Sequence, residues 1–132
     1  MKSVIFASLL LGSAAMADNS LLKCTVPAQK SGATPVSANL TIGDDQSADF
    51  VTLNLTEAAG PSQFFAQMKK GEAGQQISQG GLQFMALTEQ TAQGDDGVIT
   101  NTGLFAVNTD SKGGFTGLFI AKGNIYPLNC TK

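Results

Sequence analysis

Apolar and polar residues alternate with a period of two along much of this chain. Val36, Ala38, Leu40 and Ile42 are separated by Ser37, Asn39 and Thr41, and Val51, Leu53 and Leu55 by Thr52 and Asn54. Successive strand side chains point to opposite faces, so each segment predicts a half-buried strand with one polar face. Gly43-Asp44-Asp45-Gln46-Ser47 lies between them, rich in turn formers, and the whole predicts a β-hairpin.

Residues 62–70 carry two signals. Phe64, Ala66 and Met68 alternate like a strand, whereas Pro61 in front and Lys69-Lys70-Gly71 behind resemble helix boundaries. A helix here would have barely two turns, so a strand is the expectation. Residues 71–81 read as a loop, with room for a short strand at 75–78. Residues 82–88 predict a strand with Leu82, Phe84 and Ala86 on one face and Met85 and Leu87 on the other. After a polar loop at 89–97, strands are expected at 98–100 continuing through 103–108, at 115–121 and at 125–130. Asp110-Ser111-Lys112-Gly113-Gly114 and Gly123-Asn124 are the turns between the last three. Thr102-Gly103-Leu104-Phe105 is echoed by Thr116-Gly117-Leu118-Phe119, one hairpin arm and a turn later; a single echo is shared strand composition rather than a repeat architecture.

About eight short strands with glycine-rich turns predict an all-β fold, an antiparallel meander forming a small barrel or sandwich. The early strands have one apolar face. Those around 82–87 and 115–120 are apolar on both, so their second side needs a cover: a second sheet, a loop or short helix, a ligand, or a partner protein.

The ends of the chain change the picture. Residues 1–17, MKSVIFASLLLGSAAMA, have a positive start, a short apolar stretch and the small-x-small pattern Ala15-Met16-Ala17. These are the marks of a secretory signal peptide, and the apolar run falls short of the roughly 20 residues that span a membrane. The expected organisation is a signal peptide at 1–17 and one β-rich domain at 18–132, in a secreted or periplasmic protein with no transmembrane segment in the mature chain. Cys24 and Cys130 are the only cysteines. No CxxC motif or flanking basic group marks either as a reactive thiol, so a disulfide joining first and last strands is expected. It requires those strands to be neighbours or to face each other.

Composition excludes several functions. The net charge is −2, all basic residues are lysines, and histidine, arginine and tryptophan are absent. Nucleic-acid binding wants a cationic surface, usually with arginine, so no nucleic-acid partner is expected. The commonest general base and zinc ligand are both missing. Asp44, Asp45 and Asp49 cluster at one turn and Asp95 and Asp96 at another, but neither fits a calcium-loop spacing, and they read as turn formers. Serines and threonines lack an activating partner, and no SxxK pattern accompanies Lys69 or Lys70. Neither a catalytic residue, a metal nor a cofactor is expected. Three N-x-[ST] triplets, beginning at Asn39, Asn54 and Asn129, add only that the first two asparagines belong to polar strand faces.

Most of the nine aromatic residues belong to a core. Phe50 and Phe65 fall on the outer faces of their strands and are the candidate partner-facing aromatics. The profile of an exported, single-domain, disulfide-tied β-protein is similar to that of small periplasmic inhibitors of lysozyme-type enzymes, in architecture and not in any motif. The expectation is a non-enzymatic binding or protein-interaction module. The alternatives are a carrier of a small apolar ligand in a barrel cavity and an inhibitor of an envelope-targeting enzyme. A hollow interior would favour the carrier, and a filled interior with exposed Phe and Met would favour the interaction module.

Overall fold

The computed structural model describes residues 19–27, 30–43, 45–88 and 102–132. Eight antiparallel strands follow one another in chain order and close into a barrel. They are β1 (Asn19–Thr25), β2 (Ser37–Gly43), β3 (Ala48–Glu57), β4 (Gly60–Lys69), β5 (Gly81–Thr88), β6 (Thr102–Thr109), β7 (Phe115–Ala121) and β8 (Asn124–Thr131). One short helix, α1 (Glu72–Ser78), stands between β4 and β5. The two architectures left open by the alternation are thus resolved as a barrel, and residues 62–70 as a strand. The segment expected to be a signal peptide, Asp44, the loop expected at 89–97 with Asp95 and Asp96, and the start expected at 98–100 lie outside the described residues.

The barrel consists of two four-stranded sheets joined along two short seams. Within β1–β4 and within β5–β8, neighbouring strands pair over six to ten residues. Among the described residues, β4 and β5 pair only at Phe64↔Thr88 and Phe65↔Leu87. Between β1 and β8 only Lys23↔Thr131, Cys24↔Cys130 and Thr25↔Asn129 do. The disulfide sits at the centre of this second seam, joining directly opposed residues whose Cα atoms are 4.0 Å apart. Both half-cystines are buried, so the bridge is part of the core as well as a clasp.

The first seam is completed by α1, where the sequence suggested a loop with a short strand. The helix has only seven residues and contains Gly74, so neither propensity nor periodicity announces it. Tertiary contacts hold it. Ala73 is fully buried, and Ile77 packs on the core. Its side chains stand in for the missing β ladder. The backbone N–H of Lys69 donates to Glu72 Oε2 (2.9 Å), Gln76 Nε2 donates to Glu72 Oε1 (3.3 Å), and the backbone N–H of Gln83 donates to Gln76 Oε1 (2.9 Å). This relay runs from the end of β4 to the start of β5.

Asp49 secures the helix from outside its own segment. Grouped by sequence with the turn acids, it lies in β3 and is buried. Its Oδ2 accepts the N–H of Ala73 (3.1 Å), one of the donors that every helix leaves free at its N-terminus. Lys70 Nζ stands 3.9 Å from its Oδ1. Asp45 is a turn former as expected. Its Oδ1 accepts the N–H (2.7 Å) and hydroxyl (2.5 Å) of Ser47 and the N–H of Ala48 (3.2 Å), bonds that hold its carboxyl below the ordinary range.

Inward residues fill the barrel axis. Phe64 meets Phe119 edge-on at 5.0 Å, Phe84 stacks on Phe105 at 5.0 Å, and Phe119 lies 6.2 Å from Tyr126. The two echoed Thr-Gly-Leu-Phe segments supply part of this packing. In each the Phe points in, and the Gly makes room. A Cβ on Gly103 would come within 2.7 Å of the Phe119 ring, and one on Gly117 within 2.0 Å of the Ala106 carbonyl oxygen.

Two outcomes test this account. Cys24→Ser with Cys130→Ser is expected to cost about 2–5 kcal/mol. That loss is read as a lowered midpoint in denaturant melts, with the β-type circular dichroism kept at low temperature. Gly117→Ala is expected to cost about 1–3 kcal/mol, because a methyl has no space against backbone. An unchanged midpoint in either would contradict the packing described.

Candidate functional site

The outer wall holds the features that core packing does not use. Phe50 (41% exposed) and Phe65 (37%) project outward from β3 and β4, as the alternation predicted. Leu87, at 40%, is the register partner of Phe65 across the short β4–β5 seam. Thr52 pairs with Phe65 and Gln67 with Phe50, which sets the two rings diagonally on adjacent strands. Where the ladder stops at Phe65↔Leu87, the strands part and an open groove of about 440 Å³ dips into the wall. Phe50, Phe65, Ala66, Gln67 and Leu87 line it, and Val51 and Thr88 complete it without any ionisable side chain. The structure thus brings together the two aromatics singled out by sequence and adds Leu87. That residue was legible as part of a two-sided strand, but its neighbour across the seam was not.

The groove offers two kinds of contact. Its side chains give apolar surface. Its β4 wall leaves the register ladder beyond Phe65, so the strand backbone there faces the gap rather than a paired neighbour. An extended segment laid in such a place can satisfy backbone groups and bury side chains together.

A second cluster lies at the opposite mouth of the barrel from α1. Lys122, in the β7–β8 turn, contacts Glu57 Oε2 at 2.5 Å and Ser62 Oγ at 3.3 Å. The Tyr126 hydroxyl donates to Glu57 Oε1 (2.9 Å), and Asn124 Nδ2 donates to the Tyr126 oxygen (3.2 Å). This network ties the β3–β4 turn to the β7–β8 turn. Sequence reasoning missed it, because its members are 65 and 69 residues apart and carry no spacing signal. The bond from Lys122, with a smaller share from Tyr126, holds the Glu57 carboxyl below its ordinary range; the same pairing raises Lys122 above the usual lysine value. The pairing with Glu57 favours the charged form of Lys122. Among the described residues, no group of three His, Cys, Asp or Glu side chains is arranged to hold a metal ion, and no helix is long and apolar enough to cross a membrane.

No family model matches this chain, and comparisons with curated proteins and with solved structures found no match.

The polar network yields a pH dependence with a definite sign. A depressed carboxyl stabilises the fold above its unfolded pKa, about 4.3 for Glu, and that contribution is lost as pH falls through the folded value. A raised lysine stabilises below about 10.4 and loses its contribution as pH rises past the folded value. The Lys122 side chain is 39% exposed, so solvent screens the pair and its worth is held to under about 1 kcal/mol. Lys122→Met is expected to lower stability by that order at neutral pH and to flatten the acid limb of a denaturation series. An unaltered acid limb would show that the pair is not formed in solution.

Proposed function

We propose that this protein is an exported, non-enzymatic binding module that holds an extended, apolar segment of another protein in the groove between β4 and β5. The observation that carries the reading is the pairing of exposed Phe50, Phe65 and Leu87 with the place where the β4–β5 ladder stops. Strand backbone that has left its ladder, flanked by apolar side chains, suits recognition by strand addition. Solvent-exposed aromatics at the centre of such a site are the usual anchors of an interface.

Two further observations favour this over the other classes. The interior, which a carrier would keep hollow, is occupied by the rings of Phe64, Phe84, Phe105 and Phe119. Glu57 and Lys122 face each other as an ion pair instead of presenting a free base or nucleophile. The disulfide fits an oxidising compartment, in line with the export signal expected at 1–17.

A displayed library of short random peptides tests the reading. Enrichment of uncharged sequences rich in large apolar residues is expected. Binding should weaken at least tenfold, about 1.4 kcal/mol, in Phe65→Ser and in Leu87→Ser, with melting curves near the parent's. Amide exchange at Gln67 should slow on binding. Failure to enrich any peptide, or binding indifferent to both substitutions, would refute the groove as the site.

A further inference from the structure

A second face of the barrel has a separate use. Strands β5, β6, β7 and β8 contain no Asp, Glu, Lys or Arg. On their outward side the register sets apolar residues in rows. Met85 lies opposite Leu104, Leu104 opposite Ile120, and Ile120 opposite Ile125. The next row runs from Ala106 to Leu118 to Pro127. Met85 and Ile125 are 65% and 66% exposed and Ile120 is 38% exposed, values foreign to a wall meant to face water alone. Below them the row of Asn108, Thr116 and Asn129 supplies a neutral polar margin.

We infer that this face is a homodimer interface, at which the β5–β8 sheet of one chain packs against the same sheet of a second copy. Three features choose the occupant. The first is area. Met85, Ile120 and Ile125 expose about 340 Å² together, at about 200 Å² for a whole large apolar side chain. The half-buried Leu104, Ala106 and Leu118, exposed Pro127 and the polar margin bring the face toward the roughly 800 Å² that each partner contributes to a stable interface. The second is charge. Two copies of a chain with net charge −2 repel each other, and a face made of charge-free strands lets them meet without setting like charges together. The same lack of charge gives an anionic or cationic partner, or a charged lipid surface, nothing to recognise. The third is shape. A regular β face with apolar rows and a polar margin matches itself under a twofold axis, the commonest symmetry of homo-oligomers, and sheets pack face to face in aligned fashion. The face lies beyond the seam groove, so a dimer leaves Phe50 and Phe65 free.

Sedimentation velocity on the oxidised chain tests the proposal, with concentration run from about 1 to about 100 µM, because mass action makes a dimer concentration-dependent. The wild type is expected to pass from monomer toward dimer, and to do so at lower concentration in about 1 M salt, where repulsion between like-charged copies is screened. Met85→Lys with Ile125→Lys is expected to stay monomeric throughout, a rise in dissociation constant of at least a hundredfold, with the parent's circular dichroism and melting temperature. Phe65→Ser should dimerise like the wild type. A wild type that is monomeric across the whole range overturns the proposal while leaving the peptide-binding result untouched. Dimers that survive the double lysine variant overturn it too, by assigning association to another surface.

Discussion

An eight-stranded sheet hides its apolar face here by closing on itself, and closure rests on two short ladders. Six of the eight junctions pair over six to ten residues, and four of these are hairpins with short turns. The other two, β4 with β5 and β8 with β1, pair over two and three residues among those described. Each thin seam has a substitute for the hydrogen bonds it lacks. At β8–β1 the substitute is covalent: the buried Cys24–Cys130 bridge spans 106 residues and acts on the unfolded chain, where a closed loop of that length restricts conformational freedom most. At β4–β5 it is the helix, whose Glu72 and Gln76 carry the connection from Lys69 to Gln83.

The interior follows from that closure. Once the wall is shut, its axis must be filled, and stacked and edge-on phenylalanines occupy it. Gly103 and Gly117 are the cost of that filling, since they remove side chains where a ring or a neighbouring backbone approaches. The polar network of Glu57, Lys122 and Tyr126 then ties two turns across one mouth, while Asp49 and α1 complete the other. The large apolar side chains that the core does not use consequently lie on the outside. The groove exists because the β4–β5 seam opens, and the β5–β8 face exists because its strands are apolar on both sides.

Much of this was legible in the alternation. Val36 to Thr56 announced a hairpin with one polar face, residues 82–88 announced a strand with Leu82, Phe84 and Ala86 on one face, and the cysteine pair announced end strands that are neighbours or face each other. Phe50 and Phe65 were read as outward from parity alone. The helix was not legible, because a seven-residue segment with a central glycine is held by Asp49 and by strand edges distant in sequence. Asp49 itself was misgrouped for the same reason: its role depends on Ala73, 24 residues away. Nor could parity distinguish a two-sided strand covered by a second layer from one left bare. Only the closed wall leaves Met85, Ile120 and Ile125 facing outward with the apolar interior already complete.

Backbone amide exchange of the native, oxidised chain measures the seams directly. Protection should be greatest in the long ladders of β2–β3 and β6–β7, and the β4 amides beyond Phe65 should exchange through smaller local openings than global unfolding. On reduction of the disulfide, β1 and β8 should lose protection before the rest. Uniform protection across β3, β4 and β5, or loss on reduction that is equal in every strand, would contradict a barrel closed at two thin seams.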